Sequence, residues 1–223
     1  MKSIQLCFCL LVSSCFNSLF AQDELGNGML FPQFEQGIVV FKNGVRSSAS
    51  LNYNMIQQKM LFLEADSTVL EILKPLEISV VIIGERRFLP VTSGGVFYEV
   101  IQAGQGSFFV KQKATRVSAG KAAAFGGYSQ TSSVTSYSSW QSSTGTTVRL
   151  NPDEKFRLIT TCFYYLKSGN SYKRFSSAKT LGKLFKGYES EIAKFANEQS
   201  IDFEKIDDVA RIVEYGYSLI SNS

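Results

Sequence analysis

Gly37-Ile-Val-Val-Phe-Lys42 runs into Asn43-Gly44 and returns as Val45 to Tyr53, and this stretch decides the fold class. An apolar, β-branched run meeting Asn-Gly reads as a β-hairpin, because both turn residues tolerate the positive φ that a tight type I′ turn requires. The same grammar continues downstream. Lys59 to Glu64 and Thr68 to Leu73 give two further strands across Ala65-Asp66-Ser67, and Pro75 then interrupts the ladder. Glu77 to Ile83 and Arg87 to Val91 flank Gly84-Glu85-Arg86, and Val96 to Gln102 and Ser107 to Lys113 flank Ala103-Gly104-Gln105-Gly106. Strands at this spacing with turn residues between them predict an antiparallel meander or a small barrel-like sheet.

The pattern changes at residue 118. Residues 118–146 run through Ser, Thr, Gly and Ala with few aliphatics, too little apolar side chain to offset the entropy of ordering. They read as a long flexible insertion, and its Tyr128, Tyr137 and Trp140 among hydroxyl residues resemble the composition of adaptable binding loops, with Lys121 and Arg149 at the edges. Strand character resumes over residues 147–176, where Lys155 to Leu166 is expected to pair with Tyr172 to Phe175.

Residues 177–223 are helical. Leu181, Leu184, Phe185, Tyr188, Ile192, Phe195 and Ala196 recur at three- and four-residue spacing, with Gly187 as a break point. Phe203, Ile206, Ala210, Val213, Tyr217 and Ile220 form a second stripe. Ser176 or Ser177 is expected to cap the first helix, and Asp207 and Asp208 the start of the last. The fold expected is therefore α+β: a β-rich unit over 22–117, the insertion, a hairpin region and a C-terminal helical segment.

The N-terminus is read as an export signal over residues 1–21. Lys2 precedes an apolar run from Ile4 to Val12, and Ser18-Leu19-Phe20-Ala21 supplies a small-residue cleavage site. Cleavage there leaves Cys162 as the remaining cysteine, flanked by apolar and β-branched residues and read as a buried strand thiol. A second reading places a lipobox at Val12-Ser13-Ser14-Cys15, with Cys15 carrying a lipid. Both make the chain a periplasmic, extracellular or outer-membrane-associated protein.

Composition excludes several chemistries. The chain has no histidine, so a Ser-His-Asp or Cys-His site cannot be built from it. One cysteine beyond the signal is too few for zinc-finger spacing. Gly104-Gln105-Gly106, Gly120-Lys121 and Gly182-Lys183 lack the remaining residues of a phosphate loop. Ser176-Ser-Ala-Lys179 matches the Ser-x-x-Lys spacing of penicillin-recognising enzymes but stands without their other motifs. Asp153-Glu154 and Asp207-Asp208 sit where turns and helix starts use carboxylates. No cofactor is implied.

Charge is distributed unevenly. Residues 22–99 carry 6 basic and 9 acidic groups, while 100–150 carry Lys111, Lys113, Arg116, Lys121 and Arg149 with no acid. This middle segment would favour an anionic neighbour, such as lipid headgroups, an acidic glycan or an acidic protein face. The overall excess of base is too small to argue for nucleic acid. Asp66-Ser67-Thr68 also fits a short Asp-Ser/Thr sequon for periplasmic O-glycosylation.

Val40-Phe-Lys-Asn-Gly44, Leu51-Asn-Tyr-Asn54, Met60-Leu-Phe62, Val81-Ile-Ile-Gly84, Arg87-Phe-Leu-Pro90 and Phe97-Tyr-Glu-Val100, with the Ser177 to Leu219 tail, resemble a group of uncharacterised secreted proteins of Bacteroidetes. The resemblance implies an envelope location and this architecture, and brings no catalytic residue. Two functions follow as expectations: a non-catalytic protein binding an envelope protein, glycan or anionic surface, or a carboxylate-, Lys- or Tyr-based enzyme acting on an envelope glycan or peptide.

Overall fold

The computed structural model describes residues 28–92, 94–118, 121–122, 128–129, 139–141, 147–149 and 156–221, with side chains for 28–92, 94–117 and 157–221. Its strands are β1 (Glu35–Phe41), β2 (Arg46–Asn54), β3 (Lys59–Leu63), β4 (Val69–Glu71), β5 (Ile78–Ile83), β6 (Arg86–Pro90), β7 (Phe97–Ala103) and β8 (Gly106–Ser118). After β9 (Lys121–Ala122), β10 (Tyr128–Ser129), β11 (Ser139–Gln141) and β12 (Thr147–Arg149) come β13 (Phe156–Ser168) and β14 (Ser171–Phe175). Three helices follow: α1 (Ala178–Gly182), α2 (Glu189–Glu198) and α3 (Ile206–Ser221).

Ten strands form one antiparallel sheet in the order β14-β13-β8-β7-β6-β5-β1-β2-β3-β4, so the fold is α+β and β-rich. Two meanders meet where β1 pairs with β5. The sheet curls until the turn after β2 reaches β8: Ala114 N–H donates to Met55 O at 3.0 Å, and Gln58 Nε2 to Gln112 O at 2.8 Å. Closure stops there. β4 and β14 remain edges, and the barrel alternative gives way to an open, strongly curved sheet.

The Asn43-Gly44 hairpin forms, but its turn is not type I′. Gly44 has φ +87° while Asn43 is absent from the positive-φ residues. Gly44 N–H bonds Phe41 O at 3.0 Å and Phe41 N–H bonds Val45 O at 2.8 Å, the pattern of a type I turn closed by a glycine bulge. Register, and with it the face each residue takes, is set from this turn. Directly paired residues share a face. Val39, Leu51, Tyr53, Val81, Phe88, Phe97 and, at the far end, Phe108, Val110, Tyr164 and Phe175 therefore all line the inner side.

That single inner face serves two cores. The first fills the curl with Leu51, Tyr53, Met60, Ile78, Val81, Ile83, Phe88 and Phe97. The second packs Phe108, Val110, Tyr164 and Phe175 against Leu181, Phe185, Ile192, Val209, Ile212 and Val213 of the helical segment. As expected, Gly187, with φ +90°, separates α1 from α2. Ser177 caps α1 in a reciprocal arrangement with Thr180. Asp207 and Asp208 lie inside the first turn of α3 instead of capping it. There Asp208 accepts from Asp202 N–H at 2.9 Å and from Arg211 at 2.7 Å, and its carboxyl titrates below the usual range because of the Arg211 bond first and the Asp202 amide second.

Candidate functional site: an apolar cavity under the crossover

The chain between β4 and β5 must cross from the sheet edge to the far side of β1, and this crossover roofs part of the inner face. It is tied at both ends: Ile72 N–H donates to Met60 O at 3.1 Å, and Lys42 N–H to Glu77 O at 2.8 Å. Pro75 is buried at the start of a single 3-10 turn, Pro75–Glu77, where its missing N–H costs nothing. Beneath the crossover lies a cavity of about 560 Å³. Val39, Leu51 and Ile78 form its floor, and Phe41, Ala49, Phe62 and Ile72 its walls.

Polar groups in the lining sit at the mouth. Ser47, Glu71, Lys74 and Glu77 are all exposed there. Glu71 pairs with Lys59 at 3.5 Å and Glu77 with Lys74 at 3.2 Å, so each carboxylate has its own ammonium. None of the buried, unpartnered polar atoms found among the described residues belongs to the lining. The mouth is also apolar: Leu70 and Leu73 line it, Leu73 is 79 % exposed, and Val69 and Leu76 are exposed beside them in the chain. A protein that leaves this many aliphatics in water around a concavity presents a surface for something apolar.

Further along the inner face, between the two cores, is a buried polar node. Arg86 Nε and Nη2 donate to the two oxygens of Glu99 at 2.6 and 2.7 Å, and Gln112 Nε2 donates to Glu99 Oε2 at 2.8 Å. The guanidinium also stands over the rings of Phe31 and Phe88, at 5.0 and 5.5 Å. Cys162 pairs in register with Gln112 beside this node. Burial first, and the Glu99 charge second, push its thiol pKa up, which agrees with a strand thiol and not with an activated nucleophile.

The binding residues expected from sequence fall elsewhere. Lys121 and Tyr128 lie on the β9–β10 hairpin, where Ser129 pairs with Lys121 and Tyr128 with Ala122. Trp140 and Arg149 lie on the β11–β12 hairpin, paired with Val148 and Ser139. Tyr137 lies outside the described residues, as does most of the insertion. Ser67 of the sequon sits at an exposed turn with φ +68°, held by Thr68 N–H donating to Asp66 Oδ1 at 2.9 Å.

The cavity was missed in the sequence because its lining comes from β1, β2, β3 and the crossover at once. One signal was present: Val69, Leu70, Ile72, Leu73 and Leu76 are too apolar for a short strand followed by a solvated turn. Among the described residues no group of acidic or cysteine side chains is gathered to hold a metal ion, and no helix is long and apolar enough to cross a membrane. No protein-family model, no curated protein and no solved structure matches the chain.

Proposed function

We propose that this chain is an exported, non-catalytic binding protein of the cell envelope, and that it holds an aliphatic chain in the cavity beneath the β4–β5 crossover. The observation that carries this reading is the lining itself: a concavity of about 560 Å³ whose floor and walls are apolar and whose charges stand paired at the mouth. Its size falls within the roughly 300–1,000 Å³ of small-molecule sites. Without a buried directional donor or acceptor, the site selects by shape and apolarity. An acyl chain matches this, its polar end remaining in water near Lys74.

The signal-like residues 1–21 and the resemblance to secreted Bacteroidetes proteins support the exported location, with a lipid on Cys15 as the alternative anchor. The enzyme alternative finds no support in the cavity, where the two carboxylates are exposed and salt-bridged instead of facing one another across a desolvated floor.

The test is fluorescence titration of the chain from Gln22 onward with dansylaminoundecanoate. Saturable binding is expected, abolished in Ala49→Trp, which fills the cavity, with the melting temperature of that variant unchanged or raised. Absence of saturable binding, or equal binding by a well-folded Ala49→Trp, refutes the reading. The mass of the envelope-borne protein tests location separately. Cleavage after Ala21 is expected; a full-length product retained in the cytoplasm refutes export.

A further inference from the structure

The outer face of the same sheet has a different character. Across β5, β6, β7, β8, β13 and β14 the only carboxylate is Glu99, and it points inward to Arg86. Opposite it, on the outer side, alternation and register place Arg87 of β6, Lys111 and Lys113 of β8, Arg157 and Lys167 of β13, and Arg174 of β14. Lys111 is half-buried and the other five are exposed. Among the described residues none of the six is salt-bridged to a carboxylate. The acids of the C-terminal region, by contrast, ride on the helices that cover the inner face, including Glu189, Glu191, Asp207 and Asp208.

Aromatic rings stand between these cations. Tyr98 stacks on Tyr165 at 4.7 Å, and Tyr172 meets both Tyr98 and Phe109 edge-on, at 5.3 and 4.9 Å. Arg174 lies 4.5 Å over the ring of Phe163. A sheet face with unneutralised cations along strands and between them, about 7 Å apart at alternate positions of one strand, matches an extended polyanion.

We propose that this outer face binds an acidic polysaccharide, its carboxylates meeting the cation rows and its sugar rings the half-buried Tyr165 and Tyr172, which pack over the buried Tyr98 and Phe109. The ring arrangement argues against nucleic acid. Platforms for bases offer open ring faces, whereas Tyr98 and Tyr165 face each other and Arg174 covers Phe163. Tyrosine edges and hydroxyls suit sugar hydroxyls instead. A bilayer is disfavoured because the clustered exposed aliphatics, Leu70 and Leu73 among them, belong to the cavity mouth on the inner side, whereas Ile38 and Ile159 stand singly on the outer face.

The experiment is interferometry of the same chain on immobilised polygalacturonate, a length-matched neutral glucan, short single-stranded DNA and phosphatidylglycerol vesicles. Binding to polygalacturonate is expected, falling steeply as salt screens the cations. Lys111→Glu/Lys113→Glu is expected to weaken it by at least about tenfold, a loss of about 1.4 kcal/mol. Lys167→Glu/Arg174→Glu on the β13–β14 hairpin provides the same reading should the first variant fold poorly. Tyr165→Leu, which keeps apolar cover over Tyr98, should weaken binding several-fold without changing the salt dependence. Ala49→Trp should leave it untouched, which separates this proposal from the cavity. No retention at low salt, equal retention on neutral glucan, tighter binding to DNA or vesicles, or charge-reversed variants that bind as well as the parent each overturn it.

Discussion

Arg86 and Glu99 form a two-pronged ion pair, 2.6 and 2.7 Å, where the inner face of β7 passes from Phe97 of one apolar core to Ala103 of the other. Glu99 is 5 % exposed, whereas the Arg86 side chain keeps 33 % of its surface in water. The cost of breaking the pair therefore falls on the carboxylate. Arg86→Met should destabilise by about 3 kcal/mol, the low end of the range for orphaning a buried charge. Adding Glu99→Leu should recover most of that loss, since a buried pair replaced by apolar groups is close to neutral. Urea midpoints check both; a mild Arg86→Met, or a double variant weaker than the single one, contradicts the account.

Tyr53 makes stability pH-dependent at the alkaline end. Its ring is buried against Phe88 and Phe97, and burial pushes the hydroxyl up to about 12, with the Phe97 backbone pulling weakly the other way. The hydroxyl is buried without a hydrogen-bond partner and is an orphan donor. The folded pKa lies above the unfolded value of about 10. Its contribution to stability is thus complete below about pH 10 and lost as pH rises towards 12. Tyr53→Phe should remove that component and add about 1 kcal/mol at neutral pH by deleting a buried unsatisfied group. Unfolding curves at neutral and alkaline pH decide it: a variant less stable at neutral pH shows the hydroxyl to be satisfied.

Two glycines fix how α3 docks. A Cβ on Gly216 would lie 2.7 Å from the Phe185 ring, and one on Gly106 2.2 Å from the ring of Tyr217, whose hydroxyl donates to Ser107 O at 3.0 Å. Helix propensity alone favours Gly216→Ala by about 1 kcal/mol. Both neighbouring rings are packed within the second core, so the clash should dominate. Thermal melts should show Gly216→Ala destabilised by about 1–3 kcal/mol; a stabilised variant would mean that Phe185 moves freely.

The contrast between local and distant pairing explains what could be read from the sequence. Ser177, Gly187 and the Leu181 to Ala196 stripe disclose the helices because cap, break and periodicity are properties of neighbouring residues. Asn43-Gly44 disclosed a turn, but its type depends on how Phe41 and Val45 pair, which the dipeptide does not encode. β8 was expected to end at Lys113, yet it continues to Ser118 because β13 pairs with it from Phe156 onward, across the whole insertion. The insertion of β1 between β2 and β5 was likewise invisible, since nothing within these strands marks which of them become neighbours. Gly84-Glu85-Arg86 read as a turn, which hid that Arg86 opens β6 and reaches Glu99.

Cys162 lies half-buried on the inner face of β13. Its thiol pKa is raised by burial and by Glu99, and pulled back by Tyr164 and Arg86, so the thiol form dominates near neutral pH. Reactivity follows the thiolate fraction and access. Iodoacetamide should therefore label the folded protein more slowly than the urea-unfolded one, with the rate climbing only above the ordinary thiol range. The node gives this a second arm. Arg86→Met removes a positive charge that favours the thiolate while leaving Glu99 in place, so labelling of that variant, measured where it is still folded, should slow further. Native labelling as fast as in urea would mean that Cys162 is open to solvent, and labelling that accelerates in a folded Arg86→Met would mean that the node shields the thiol by packing and not by charge.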